Sequence, residues 1–261
     1  MITITNKTDC CGCGACASRC VTSCITMAPD EEGFNYPLVD TDKCIHCGLC
    51  ERVCPLLHKP QPHEILAVIG CKNKNEAVRF VSSSGGFFSL AAEKILGRQG
   101  TVFGAAFDDN WHVRHIAVTS VNAMNKLRGS KYVQSEKKNI YTEIKYELEQ
   151  GKKVLFIGCP CDVYAVQRYL GKKYDAFLSC ELVCMGVSSY KVASEYKTYA
   201  EKKNGSQLIR INARSKRKGW FVPHLEEEYK DGTIKCNTLF GTFLGYGMQV
   251  YNRPSCFECK F

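Results

Sequence analysis

Residues 10–20 read CCGCGACASRC and residues 44–54 read CIHCGLCERVC, so one cysteine spacing occurs twice near the start of the chain. Both stretches follow the pattern C-x2-C-x2-C-x3-C, and Pro55 follows the second. Bacterial proteins use this spacing to hold 4Fe–4S clusters through cysteine thiolates. Its repetition predicts two clusters, and a chain that holds two clusters moves single electrons.

The order of the cysteines also predicts which thiolates share a cluster. Three cysteines spaced by two residues can surround one cluster from a tight loop, whereas the fourth points away and ligates the other cluster. The two sets are therefore crossed: set one is Cys10, Cys13, Cys16 and Cys54, and set two is Cys44, Cys47, Cys50 and Cys20. Structural zinc is the alternative, but zinc motifs rarely repeat four cysteines at this spacing. Cys11 and Cys24 are interpreted as small apolar residues.

The composition sets limits on compartment and partners. The chain has 261 residues, of which 18 are cysteines, and a formal net charge of +9. It lacks a signal peptide and any apolar run of about 18 residues, so we expect a reducing cytoplasm and no membrane span. Two clusters of roughly −2 each lower the charge to about +5, so we expect no nucleic-acid partner. The basic residues 210–218, RINARSKRK, form either a solvated loop or an anion-binding surface.

The chain divides into a cysteine-rich part and a longer part in which strands and helices alternate. Residues 1–58 are predicted to form a two-cluster ferredoxin-like domain with two short strands about a turn at Gly33. Residues 59–64 are predicted to be a linker, and residues 65–261 an α/β flavin-binding domain. Hydrophobic patterns predict strands at 65–69, 101–107, 154–157 and 176–183, and helices at 84–96, 140–150, 162–170 and 188–203. The fold class is therefore α/β (α+β), with a partly parallel sheet.

Two polar segments of the longer part could hold a nucleotide. The stretch VSSSGGFFS places serines and glycines before a predicted helix, where backbone amides favour a phosphate, although a capped turn has the same sequence. The stretch GSKYVQS offers Lys131 to a phosphate or to the flavin ring edge, and Tyr132 for stacking. A solvated loop is the alternative for this second segment.

The remaining cysteines are spread over the longer part. Cys159 and Cys161 follow a predicted strand, at the edge where α/β sheets usually bind ligands. Cys180, Cys184, Cys236, Cys256 and Cys259 follow along the chain. Each could be a buried, inert thiol, but as a set they are typical of distributed ligands for a third cluster.

The ordered motifs resemble one known family. After the two cysteine runs, SSGGFFS, GSKYVQS, GCPCDV, ELVCMGVSS, KGW and RPSCFECKF appear in sequence. Together they resemble the coenzyme F-420 hydrogenase/dehydrogenase beta-subunit family, whose members are flavin and iron–sulfur oxidoreductases. The resemblance implies electron transfer between ferredoxin or a partner redox subunit and a small-molecule hydride acceptor, such as F-420.

The resemblance also implies site residues. It assigns FAD to Ser83, Ser84, Gly85, Gly86, Ser130, Lys131, Tyr132, Gln134 and Ser135. It assigns a possible third 4Fe–4S cluster to Cys161, Cys184, Cys256 and Cys259. No catalytic residue is assigned, because the family commonly has histidine where this chain has Met185. The family also commonly has threonine at Cys159 and glutamine at Asp162, and its members usually continue beyond Phe261, so a truncated chain, a split gene or a short member is expected.

Three functions follow as hypotheses. The first is an iron–sulfur flavoprotein oxidoreductase, in which the flavin converts single electrons into a hydride. The alternative is an electron-transfer subunit of a larger hydrogenase, dehydrogenase or reductase complex, with no substrate of its own. A cluster-based redox sensor is the third, although the sequence shows no effector or nucleic-acid module.

Overall fold

The computed structural model describes residues 1–58, 60 and 64–261. Near the N-terminus, strands β1 (Ile25–Pro29) and β2 (Asn35–Val39) form an antiparallel hairpin in which Ile25 pairs with Val39. The turn closes at Gly33, whose φ of 86° suits glycine. The two short strands about a turn at Gly33 are thus confirmed.

Each cysteine run contains one short helix. Helix α1 (Ala15–Arg19) follows Gly14, and helix α2 (Leu49–Arg52) follows Gly48. Both glycines are left-handed, with φ of 77° and 71°. The two helices contain the third cysteine of their runs and pack against each other. The runs are thereby brought side by side.

A mixed four-stranded sheet forms the centre of the longer part. Its order is β4 (Val113–Val118), β3 (Thr101–Phe107), β5 (Val154–Gly158), β6 (Phe177–Glu181). β5 is parallel to β3 and β6, whereas β4 is antiparallel to β3. The helices before and between these strands are α3 (Glu76–Phe80), α4 (Phe87–Leu96), α5 (Val121–Met124), α6 (Ile140–Glu149) and α7 (Pro160–Leu170). The predicted α/β class with a partly parallel sheet is confirmed.

Side-chain alternation along the central strands fills both faces of the sheet. Phe103 and Phe156 belong to the core that includes α6 and α7. Val102 and Leu155, one residue earlier in each strand, belong to the core that includes α4. β5 is buried along its whole length, as expected of a central strand covered on both faces.

A second sheet packs on the last long helices. Strands β7 (Leu208–Ser215), β8 (His224–Tyr229) and β9 (Ile234–Thr238) are antiparallel in that order. Helices α8 (Tyr190–Asn204) and α9 (Phe243–Val250) contribute to its core, and α10 (Pro254–Phe257) precedes the C-terminus. None of the helices in the described residues has the length and apolar character needed to traverse a bilayer.

Two of the predicted elements need correction. The strand predicted at 65–69 is wrong: these residues form no strand, and Ile65, Leu66 and Val68 are 78%, 92% and 91% exposed. An apolar run makes a strand only where another strand accepts its hydrogen bonds, and no strand among the described residues pairs with this one. The helix predicted at 84–96 begins only at Phe87, because Gly86 is left-handed with φ of 83°. The other predicted helices and strands agree with the structure to within a few residues.

The cysteine-rich part shares a core with the central sheet. Cys11, Cys13 and Val53 belong to the same buried cluster as residues of α6 and α7. Tyr141 Oη donates to the Cys13 carbonyl at 2.7 Å, and Arg168 donates to a carbonyl of α2 at 2.7 Å. The division at 58 and 65 stays a prediction, and residues 59 and 61–63 of the predicted linker lie outside the described residues.

Candidate functional site

Set one lines a single cavity within the cysteine-rich part. The cavity is lined by Cys10, Cys13, Cys16 and Cys54. Its volume is about 330 Å³, including the open solvent space at its mouth. The other lining residues are mainly apolar, namely Ile2, Ile4, Met27, Pro37, Pro55 and Leu56, with Cys11, Gly12, Gly14 and Asp9. The first three cysteines of one run and the last of the other thus meet, as the crossed assignment requires.

Set two lines a second cavity. This cavity, about 320 Å³, is lined by Cys20, Cys44, Cys47 and Cys50, together with Cys24, Ile25, Ile45, His46 and Leu49. Cys47 is exposed, whereas Cys50 is buried. In the described part of the chain, no group of three histidine, cysteine or acidic side chains is arranged to bind a single metal ion. The four sulfurs of each set instead stand around a cavity, which fits a group of several atoms. Cluster binding by these sulfurs stays a prediction.

Backbone amides approach the sulfurs of both sets. The Gly12 amide donates to Cys10 Sγ at 3.4 Å, and the Ile2 amide donates to Cys50 Sγ at 3.4 Å. Such bonds stabilise thiolates and raise cluster reduction potentials. Gly12 is left-handed with φ of 66°, and a Cβ there would lie 2.5 Å from the Arg253 side chain. Only glycine fits at this place in the loop.

Cys24, interpreted from the sequence as a small apolar residue, contacts a cysteine of set two. Its sulfur is 3.3 Å from Cys20 Sγ. Burial raises the pKa of the Cys20 thiol, but the hydrogen bonds from Thr22 and Cys24 outweigh it and lower that pKa to about 7. Cys24 therefore supports the thiolate of Cys20, a role that its sequence position did not indicate.

The cysteines predicted for a third cluster lie in three places beyond set one. Cys161, in the first turn of α7, interacts with Cys11, which in turn interacts with Cys13 of set one. Cys184 is exposed and interacts with Cys159 instead, and this contact lowers the pKa of Cys184 to about 6.

The last two predicted ligands follow Arg253. The Arg253 amide donates to the Val187 carbonyl at 2.9 Å, which ties this segment to the loop that carries Cys184. Burial raises the pKa of Cys256, as do the nearby Cys184 and Cys259. Cys256 thus lies near Cys184 and Cys259, whereas Cys161 contacts Cys11, and the third cluster stays a prediction.

Two of the segments predicted to bind FAD meet at one surface. Ser83 Oγ accepts from the Ser130 amide at 2.9 Å and from Ser130 Oγ at 3.0 Å. The Gly85 carbonyl accepts from the Asn73 amide, and Gly86 caps α4. Lys216 Nζ donates to the Ser84 carbonyl at 2.7 Å. The basic residues 210–218 therefore reach the predicted flavin surface rather than forming a free loop.

The other predicted flavin residues have protein partners. Lys131 Nζ donates to the carbonyls of Lys126, Leu127 and Arg128, and burial lowers its pKa to about 7. Tyr132 has φ of 54°, and its hydroxyl accepts from Arg214 at 3.4 Å.

The last two predicted flavin residues are directed elsewhere. Gln134 Nε2 donates to the Cys11 carbonyl at 2.8 Å, next to set one. Ser135 is buried and lies 2.8 Å from His115 Nδ1. FAD binding by these side chains stays a prediction, which the structure favours more for Ser83 and Ser130 than for this pair.

A buried charged group that sequence reasoning missed lies under Cys159 and Cys161. Lys137 Nζ pairs with Asp162 Oδ1 at 2.8 Å, where the two side chains are 1% and 9% exposed. Lys137 also donates to the carbonyl of Ser135, which joins the pair to His115. No local motif signals this group, because its members come from β4, the loop before α6, and α7.

His115 makes stability depend on pH. Burial, aided by the Lys137 charge, lowers the pKa of His115 to about 4. The folded chain therefore keeps the ring neutral below pH 6.5, where the unfolded chain binds a proton. We expect full stability above about pH 6.5 and a loss of about 1.4 kcal/mol per pH unit from there down to about 4.

Thermal unfolding of the protein and of His115→Gln at pH 7 and 5.5 measures this effect. His115→Gln should lose less stability than the unaltered protein between pH 7 and 5.5. His112→Gln, at a half-buried histidine, is the matched control and should behave like the unaltered protein. Equal pH dependence in the protein and in His115→Gln would contradict the assignment.

Comparisons with known proteins agree with the motifs. Residues 151–261 match the family model that describes the C terminus of the beta subunit in coenzyme F-420 hydrogenase/dehydrogenase. Residues 9–56 match a second family model, which describes a 4Fe–4S dicluster domain. The F subunit of F(420)H(2) dehydrogenase from Methanosarcina mazei is 23% identical over 171 residues, which are 60% of this chain and 47% of that protein. The chain thus spans about half the length of this curated relative.

One solved structure also resembles the chain. It is a chain of the F-420-reducing NiFe hydrogenase complex from Methanosarcina barkeri, with a TM-score of 0.48 and 18% identity. The alignment covers 72% of this chain and 63% of that one. The family resemblance read from the motifs is confirmed by the two matched sequence models, which follow each other in the expected order.

Proposed function

We propose that this chain, whose residues 151–261 belong to the coenzyme F-420 hydrogenase/dehydrogenase beta-subunit family, is an iron–sulfur electron-transfer subunit of an oxidoreductase complex. The observation that carries the proposal is the pair of cavities, each lined by one crossed set of four cysteines. When bound there, 4Fe–4S clusters supply one-electron chemistry. The partner is ferredoxin or another redox subunit.

The chain's own residues order the path. Set two, with the exposed Cys47, faces a partner, whereas Cys13 of set one belongs to the core that includes the central strands. Cys11 connects the set-one loop to Cys161 and so to the predicted third group of cysteines. Electrons would therefore enter at set two and leave from set one toward the longer part of the chain.

The finer proposal is that FAD passes these electrons to a hydride acceptor such as F-420. Its support is the surface where Ser83 meets Ser130 and where Lys216 reaches Ser84. A flavin there would supply the conversion between one-electron and two-electron chemistry. Hydroxyl groups and cations are the groups that hold a pyrophosphate.

An electron relay without flavin is the second candidate. The observation that favours it is the set of hydrogen bonds already made by the predicted flavin side chains. Lys131 has three N–H donors, and three carbonyls lie within their reach. Gln134 is held between Cys11 and Arg253.

Anaerobic purification followed by iron and flavin assays tests the proposal. We expect about eight irons per chain, or about twelve if the third group forms, and one FAD if the finer proposal holds. About eight irons without flavin would support the relay. Absence of iron from protein that is purified anaerobically and reconstituted with iron and sulfide would contradict both functions.

Lys131→Met is expected to reduce the FAD content at least tenfold while leaving the iron content unchanged. Beside Tyr132, the change removes an amino group whose pKa of about 7 leaves it partly charged at neutral pH, and it frees the carbonyls that this group holds. Lys126→Met, at an exposed lysine of the same segment, is the matched control and should retain flavin. Unchanged flavin in Lys131→Met would place the flavin elsewhere.

A further inference from the structure

Arg253 is a fully buried cation behind the loop of set one. Its side chain is 0% exposed, and it comes first by volume among the fully buried side chains of the described residues. Nε donates to the Cys10 carbonyl at 2.7 Å. The two Nη atoms donate to Gln134 Oε1 at 2.8 Å and to the Asn35 carbonyl at 3.1 Å. The guanidinium thus joins the C-terminal segment, the hairpin and the cysteine loop.

All of these acceptors are neutral. In the described part of the chain, no carboxylate forms an ion pair with Arg253, although Asp9 lines the cavity of set one. The ring of Tyr36 lies 4.2 Å from the guanidinium carbon and that of Phe34 lies 5.5 Å from it. Aromatic faces stabilise a cation only in part, so a buried guanidinium without a counter-charge is costly.

The nearest source of negative charge is set one itself. The guanidinium of Arg253 interacts with Cys10 of set one, whose carbonyl accepts from Arg253 Nε at 2.7 Å. A cluster held by four thiolates carries roughly −2, which would give the buried guanidinium the counter-charge that it lacks. The close packing at Gly12 holds the guanidinium against this loop.

We propose that Arg253 is a positioning residue that supplies the counter-charge of set one and makes it easier to reduce than set two. The inference rests on the proposed function, because it needs clusters at both sets. Reduction adds one electron from the redox partner and no proton, so the negative charge at set one increases by one. A fixed cation in a dry environment stabilises that added charge.

Within the described residues, set two has no buried cation without a carboxylate partner. Among the described residues, no lysine or arginine lines either cavity, but Arg253 packs directly behind the set-one loop through its contacts with Cys10 and Gly12. Met1 lines the set-two cavity, and its ammonium, which interacts with Cys44 and Cys50, is paired with the carboxylate of Glu51 at 3.0 Å. The difference between the two sets gives electron flow from set two to set one a physical cause.

Redox titration followed by electron paramagnetic resonance tests this inference in the full chain. The reduction step that is still observed in Cys47→Ala, which lacks a set-two ligand, is assigned to set one. Arg253→Gln keeps hydrogen-bond donors but removes the charge, whereas Arg253→Lys keeps the charge but loses donors. Arg52→Gln, at an exposed arginine of α2, is the matched control.

We expect Arg253→Gln to reduce the equilibrium constant for reduction of set one at least tenfold, a shift of about 59 mV for one electron. Arg253→Lys should stay near the unaltered protein, and set two should not move in either variant. Equal shifts in both variants, or no shift in either, would overturn the inference.

Loss of the set-one signal from Arg253→Gln alone would support the charge role, whereas its loss from Arg253→Lys as well would show a purely structural brace. An unaltered protein without iron would defeat the proposed function instead, so the two failures are distinguishable.

Discussion

Cys20→Ala is expected to remove the same cluster as Cys47→Ala, although Cys20 belongs to the other cysteine run. Each variant should lose about four of about eight irons, because a cluster with three thiolates is held much less firmly. The reason is the structure around the second cavity, where Cys20 stands with Cys44, Cys47 and Cys50. Cys71→Ala, at an exposed cysteine outside both runs, is the matched control and should keep all irons.

Double variants decide whether the sets are crossed. With Cys20→Ala and Cys47→Ala combined, about four irons should remain, because both changes affect set two. With Cys20→Ala and Cys13→Ala combined, almost no iron should remain. The reverse result would assign Cys20 to the cluster of its own run. Full iron in Cys20→Ala, with loss in Cys24→Ala, would identify Cys24 as the ligand.

The sequence predicted those parts of the site whose residues lie close together along the chain. The cysteine spacing, the left-handed Gly14 and Gly48 and the hairpin turn at Gly33 are local features, so their geometry follows from a few residues. The central sheet followed from apolar runs such as β5, which is buried throughout. Local pattern and tertiary structure agree in these elements.

The second sheet, β7–β9, was not predicted from the sequence because its strands contain buried charged residues. Glu226 of β8 is buried, but it accepts from Ser215 at 2.6 Å and pairs with Arg210 and Arg217 at 3.0 Å. Partners on adjacent strands and the following turn make this burial possible, and a single strand does not reveal them. The exposed run at 65–69 is the opposite case, where apolar residues do not form a strand.

Long-range pairs were beyond prediction for the same reason. Arg253 and Cys10 are 243 residues apart in the sequence, and their hydrogen bond exists only because the C-terminal segment returns to the first loop. Lys137 and Asp162 each look like ordinary surface charges in the sequence. Only the fold places them in a dry interior beneath Cys159 and Cys161.

Asp162→Asn is expected to destabilise the chain by about 3–5 kcal/mol, because it leaves the ammonium of Lys137 buried without a counter-charge. For a chain of this size, the loss corresponds to a fall of roughly 6–20 °C in the midpoint of thermal unfolding, measured anaerobically. The matched control is Lys145→Met, which removes an exposed partner of Glu149 and should cost less than about 1 kcal/mol.

A double variant separates the charge from the shape of the site. Asp162→Asn combined with Lys137→Met replaces the ion pair by neutral groups, and we expect it to recover more than half of the lost stability. Some cost should remain, since Lys137 also donates to the Ser135 carbonyl at 2.8 Å. A loss below about 1 kcal/mol in the single variant would mean that water reaches the pair. Additive losses in the double variant would show that packing, rather than the buried charge, sets the stability of this region.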